Sequence, residues 1–540
     1  MNRAFIVFAG LSLLLAACSL SRQTPAPALT ATSGPDLFDT PWDDRSPYRA
    51  GLVSAAQPVL DELEHASVYH IEFNIAANLH QLTGSQEMRY INTESVALSE
   101  VQLRLFPNIL GGEMTVSNVT VDEQAVTPRL ELQDSLLIVP LRDVLEPNEG
   151  LVLRMDFAVT VPRSVERNYG VFAYFDDVLT LAHAYPMIAV YDDEGWNAEI
   201  PPQSGDVAYA DASFFLVKIT APRDVTLVTS GYDIDRAEAG QFQTLYVASG
   251  PARDFYLAAS AEYEELVTTA GEVTISSYAP RGSEMGSRMA LEVAARALEI
   301  FSARYAPFPY TELDIVSTPT LALGIEYPGI IAITSDIYDV SEDPRGTLGD
   351  LYLESTVVHE VGHQWFYNLV GGDQLDDPWL DESLTQFVTL QYYADAYGPD
   401  GEEGFRSSLE GRWQSVGRAA IPIGRPVEDY SGLEYGAIVY GRGPLFFVAL
   451  RQTMGTEAFD AFLREYTESL AWDIATPEYL QSLAERHCAC ELDELFDEWV
   501  YPRSVLVQSS GALAMPFQRE YNHAAWRASA TFSWMEITNA

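Results

Sequence analysis

The chain has 540 residues, 47% of them hydrophobic, and carries 78 acidic against 31 basic side chains for a formal charge of −47. That length exceeds what a single hydrophobic core organises, so at least two packed domains are expected. The charge repels nucleic acid and anionic headgroups, which argues against a DNA- or RNA-binding role, and reads as a solvated anionic surface.

The first segment, MNRAFIVFAGLSLLLAACSL, has a basic start at Arg3 and an apolar run from Ala4 to Ala16. The run is short for a membrane span and has the form of an export signal over residues 1–17. It ends in Leu15-Ala16-Ala17-Cys18, which resembles a bacterial lipobox. The resemblance implies lipidation of Cys18 and a location outside the cytoplasm, anchored to the cell membrane. Residues 18–55, rich in Pro, Ser and Thr, read as a flexible tether.

From about residue 66 to 262 the pattern is β, within an N-terminal β domain expected over 56–262. VYHIEFNIAANLHQLTGSQEMRYI, EVQLRLF, LVLRMDFAVTVP and SFFLVKITAP alternate apolar and polar residues between turn signals. Many short strands without helical patterns between them imply an antiparallel, saddle- or sandwich-like domain. After GEVTISSYAP the texture changes. EMGSRMALEVAARALEIFSARYA has helical spacing, ELDIVSTPT and GIIAITSDI read as strands, and the chain from Leu348 to about Val500 is mostly helical. Residues 263–502 therefore form an α+β domain, and 503–540 have no assignment.

ESTVVHEVGHQWFYNLVGG places His359 and His363 four apart, one helical turn, so both imidazoles can address one ion. Glu360 is rotated by about 100° from His359, close enough to reach a metal-bound water without being a ligand. The spacing predicts that this helix ends at Gly371-Gly372. A second helix follows, with Asp377 as N-cap, Pro378 at its first position and Gly398 closing it. Glu382 lies just past its first turn, where a carboxylate could face the histidines, although a capping or surface role fits the sequence equally well. The remaining cysteines, Cys488 and Cys490 beside His487, are too close together for a tetrahedral site. They read as a local disulfide or two buried thiols.

H-E-x-x-H, a gap of eighteen residues and a Glu in a W-L-x-E context resemble the M1 family of zinc metallopeptidases. LGIEYPG at 323–329 is similar to that family's G-x-M-E-N motif, and YGRGPLFFVALRQTMG at 440–455 to the segment that begins with its catalytic tyrosine. The likeness runs from about residue 66 to 502. It implies an N-terminal β domain followed by a thermolysin-like α+β zinc peptidase domain, with one Zn²⁺ per chain held by His359, His363 and Glu382. It further implies Glu360 as general base, Tyr440 as donor to the oxyanion and Glu326 as partner of the substrate's free α-amine. Among the tyrosines, residue chemistry alone would serve Tyr435 as well. Three departures stand out: Ile325 replaces the motif methionine, Ser383 replaces a glycine after the third ligand, and the family's large helical C-terminal domain is missing. A second amine-binding residue is expected from the β domain, with His183 or an acid of FDDVLTLAHAYPMIAVYDDEGW as candidates.

These features point to a zinc-dependent aminopeptidase acting on peptides. An open cleft without the C-terminal cover would instead make an endopeptidase, and an inherited scaffold without turnover would make a peptide-binding lipoprotein. Oligomeric state is not readable from the sequence.

Overall fold

In the computed structural model, residues 37–501 are described, apart from 193, 203 and 341–347. Cys18 and the 503–540 tail lie outside the described residues. A β-rich N-terminal domain precedes a largely helical one. The first is built on an eight-stranded sheet ordered 232–239, 242–252, 213–222, 68–75, 81–91, 150–160, 113–121 and 124–125. The strand Gly150–Thr160 shows why it forms, since its buried and exposed residues alternate almost without fault. Two four-stranded sheets complete the apolar core of this domain. Pairing is antiparallel with one exception: Val68–Ile75 runs parallel to Ser213–Pro222. A parallel neighbour needs a long crossover, and the strands between residues 75 and 213 supply it.

The second domain opens with a five-stranded sheet. Tyr263–Ala270 forms one edge and Gly324–Tyr327 the other, with Val273–Pro280, Glu312–Thr318 and Ile330–Thr334 parallel between them. Helix α1 (Glu284–Arg304) packs on it through Ala290, Ala294, Ala297, Leu298 and Phe301, a helical stripe of small and large apolar residues. Helix α2 (Leu348–Gly362) lies against α1 and the Gly324–Tyr327 edge, and α3 (Leu384–Gln414) against α2. Helices α4 (Gly432–Ala437), α5 (Gly443–Met454), α6 (Thr456–Ser469), α7 (Pro477–Cys488) and α8 (Asp493–Trp499) follow. Cys488 and Cys490 are joined as a disulfide after α7.

Residues 37–55, expected as tether, are instead packed. Tyr48, Leu52 and Val53 are buried in one cluster with Phe214 and Leu216 of the β domain and with Tyr310 and Leu313 of the second domain. Thr311 N donates to Gly51 O and Val53 N to Pro309 O, so this segment staples the domains together. Its aromatic and aliphatic residues outweigh the Pro- and Ser-rich composition that surrounds them.

Helix α2 also ends earlier than its glycines imply, at Gly362 rather than Gly371. The physical reason is Arg253, buried at the end of strand Phe242–Ala252. Its guanidinium donates to the carbonyls of Tyr367, Asn368, Leu369, Ala210 and Asp473. A continuing helix would need the 367–369 carbonyls for itself. Gly371 is required by the same contact, because a Cβ there would collide with the guanidinium carbon. Gly398 breaks α3 with φ of +70°, as the sequence implies, but Pro399 starts a continuation to Gln414. Replacing Arg253 by Met should strand these carbonyls without donors and cost at least about 3 kcal/mol, read as a lowered urea midpoint. An unchanged midpoint would show that the guanidinium is not the clamp described.

Candidate metal centre and amine recess

His359, in the last turn of α2, and His363, just beyond it, both turn toward Glu382. His359 Nε2 lies 3.1 Å from Glu382 Oε2 and 3.1 Å from His363 Nε2, and His363 Nε2 lies 3.5 Å from the same oxygen. Ligands around a tetrahedral ion with bonds near 2.0 Å are separated by about 3.3 Å, so this triangle fits zinc. Glu382 sits in a π-turn, Trp379–Ser383, ahead of α3. The wider turn rotates successive residues by less than an α-helix does, so Asp381 and Glu382 both face the histidines. Asp381 Oδ1 is 2.6 Å from His363 Nδ1, which the Phe366 carbonyl also approaches at 2.9 Å. Acceptors on Nδ1 hold its proton there and leave the Nε2 lone pair free for a metal.

The electrostatics favour a cation. Burial pulls His359 down to about 4, helped by the neighbouring His363, so it is a neutral ligand at pH 7. For His363 burial acts the same way, but Glu326, Asp381 and Glu382 outweigh it and raise its pKa. Glu382 is held below the usual carboxylate range: burial opposes this, but hydrogen bonds and charge from the two histidines win. Glu326, Glu360 and Asp206 are pushed well above that range by burial first and by mutual repulsion second. This crowd of acids around two imidazoles is the donor set a divalent ion and an ammonium group would relieve.

Glu360 is buried beside this triangle, with Oε2 lacking a hydrogen-bond partner among the described residues. A Cβ on Gly324 would collide with its Oε1, so the glycine of the upstream motif makes room for this carboxylate. Gln364 ties the metal helix to that edge strand, donating to Tyr327 O at 3.0 Å and accepting from Gly329 N at 3.0 Å. Tyr440 lies in a second π-turn, Ile438–Arg442, and its hydroxyl donates to Glu382 Oε1. Tyr435 packs edge-on against Tyr440. Ser383, the departure next to the third ligand, is accommodated rather than disruptive. Its Oγ donates to Val439 O at 2.6 Å, fixing the turn that carries Tyr440, and Gly443 leaves open the space beside that Oγ which a Cβ would invade.

Glu326, on the edge strand, lines a recess of about 40 Å³ with Asp206, Gln374, Asp254, His183, Tyr327 and Tyr367 among its walls. Carboxylate oxygens of Asp206, Glu326 and Asp381 lie within 4.8 Å of one another. The β-domain acid beside Glu326 is thus Asp206, just beyond the stretch where the sequence placed candidates. His183 also lines the recess, its Nδ1 3.4 Å from Asp254 Oδ2, and burial lowers its pKa to about 4. Asp206, Asp381 and Gln374 carried no sequence signal, because each belongs to the site only through the fold.

A model of the Peptidase family M1 domain matches residues 289–499. Aminopeptidase M1-A of Oryza sativa subsp. japonica is 24% identical over 399 residues, covering 71% of this chain and 44% of its own length. Probable aminopeptidase 2 of Sulfurisphaera tokodaii is 22% identical over 298 residues, 53% of this chain and 38% of that protein. The chain therefore spans less than half the length of these relatives. The M1 zinc metallopeptidase of Deinococcus radiodurans superposes with a TM-score of 0.61 at 20% identity, over 81% of this chain and 94% of that one. A mutant of that enzyme bound to a Tyr-Ser-Ala substrate gives 0.60 at 20% identity, over 82% and 96%. The two-domain fold is shared with these structures, and residues 289–499 match the domain of the M1 peptidase family.

Gly324→Ala should displace Glu360 and lower turnover at least about tenfold while bound zinc stays near one per chain. Glu360→Gln should behave the same way. Metal analysis beside peptide hydrolysis checks both, and loss of zinc in either variant would argue against a base that stands outside the ligand set.

Proposed function

We propose that this protein is a zinc aminopeptidase that removes N-terminal residues from peptides. The observation that carries the reading is the acidic recess beside the histidine–glutamate triangle. It is a small recess with the carboxyl groups of Glu326, Asp206 and Asp254 on its walls, a lining that suits an ammonium group. Glu326 and Asp206 would hold the substrate's α-ammonium there, which sets the first peptide bond over the metal triangle. A chain extending further, or an acetylated amine, meets the walls formed by His183, Asp254 and Tyr367.

His359, His363 and Glu382 would hold zinc, which would supply Lewis acidity and activate a water at neutral pH. Glu360, buried and biased toward accepting a proton, takes one from the attacking water and passes it to the leaving amine. Tyr440, whose phenol burial keeps protonated, turns its hydroxyl from Glu382 to the oxygen that gains charge. Asp381 keeps His363 in the tautomer that ligates. Export and lipid anchoring at Cys18 are part of the proposal and rest on the Leu15-Ala16-Ala17-Cys18 segment alone.

The test compares one fluorogenic peptide with its amine free and acetylated, with and without a chelator. Chelator-sensitive cleavage of the free-amine form alone is expected, and Glu326→Ala or Asp206→Asn should raise its KM by about tenfold or more. Equal cleavage of both forms would make the protein an endopeptidase, and no cleavage by zinc-loaded protein would make it a binding protein. For the anchor, Cys18→Ser should abolish incorporation of labelled fatty acid and release the protein from membranes. Retained label would remove Cys18 from that role.

A further inference from the structure

We propose that Gln374 is a positioning residue shared by the amine anchor and the metal centre, so that one side chain governs both free-amine preference and metal retention. The inference rests on the aminopeptidase reading above. Gln374 is 3% exposed, and its Nε2 donates to two carboxylates at once: Asp381 Oδ2 at 2.6 Å and Glu326 Oε1 at 3.3 Å. The other oxygen of Asp381 in turn lies in ion-pair contact with His363, 2.6 Å from Nδ1. A continuous path therefore runs from the group that would bind the α-ammonium to the imidazole whose other nitrogen, Nε2, would bind zinc, entirely through buried side chains.

The chemistry of an amide suits this position. Its NH₂ offers two hydrogens and no charge, one for each acid. Asp206, Glu326 and Asp381 crowd their oxygens within 4.8 Å, and the described residues place no Lys or Arg among the recess walls. A neutral donor holds the two acids apart and oriented, yet leaves their negative charge available to a metal and an ammonium. A cation in the same place would occupy the amine site itself. The loop that carries Gln374 is pinned for the task. Asp373 Oδ1 accepts from Leu375 N at 2.9 Å and Asp376 N at 3.0 Å, and Val427 N donates to Leu375 O at 2.8 Å. The amide is therefore delivered by backbone held on both sides, and loss of its hydrogens would not be made good by movement of the loop.

The experiment uses zinc-loaded full chain with Gln374→Leu, which keeps the bulk near the backbone and removes the donor, and Gln374→Met where the leucine protein does not fold. Zinc loss to a chromophoric chelator should accelerate by about tenfold, the scale of an outer-sphere partner of a metal ligand. The free-amine over acetylated preference should fall at least about threefold, mostly in KM. In an Asp381→Asn background the same substitution should add little to zinc loss, while in Glu326→Gln it should add its full effect. Unchanged zinc loss, or an undiminished effect in the Asp381→Asn background, would overturn the proposal. Zinc loss requires no turnover, so this role can fail while peptidase activity stands, and activity can fail while the relay stands.

Discussion

The buried guanidinium of Arg253 is the contact on which the site's geometry depends. It stands at the end of a β-domain strand yet satisfies carbonyls from the turn after the metal helix, from the loop at Ala210 and from Asp473. Those carbonyls belong to segments that bring Tyr367, Asp206 and the connection beyond the histidines to one place. A charge so deeply buried is tolerable only because every arm of its fork is hydrogen-bonded, and that condition dictates how the two domains meet. The segment 37–55 reinforces the same junction from the other side with apolar contacts.

Around that junction the protein assembles negative charge that water would normally screen. Glu326, Glu360, Asp206, Asp381 and Glu382 are gathered about two imidazoles; burial and then mutual repulsion raise Glu326 and Glu360, while hydrogen bonds and charge from the histidines hold Glu382 low against its burial. Two π-turns make the gathering possible. One lets adjacent residues Asp381 and Glu382 face the histidines together, and the other presents Tyr440 to Glu382. Ser383 and Gly443 lock these turns to each other, one supplying a hydrogen bond and the other the space for it. The serine and the glycine form a matched pair, and neither makes structural sense without the other.

Much of the catalytic arrangement is legible in the sequence because it obeys local rules. His359 and His363 are one helical turn apart, so periodicity places them together, while Glu382 is singled out by its W-L-x-E context and the family resemblance. The alternation of Gly150–Thr160 and the stripe along α1 likewise announce their elements. The end of α2 is misread from sequence because Gly371 looks like a helix stop, when it is a gap left for a guanidinium from another domain. The packed segment 37–55 is hidden for a related reason: its few buried side chains are diluted among turn-forming residues.

By itself the amino-acid sequence determined the order of the two domains and the placement of His359, Glu360 and His363 within about one helical turn, since these follow from spacing along one chain. Only the tertiary structure decided that Asp206 stands next to Glu326, that Asp381 orients His363 and that Gln374 joins both acids. Those residues are joined by hydrogen bonds and charge across distant segments, and such contacts leave no periodicity to read. The recess they enclose exists only where the β domain closes on the helical one, held there by Arg253.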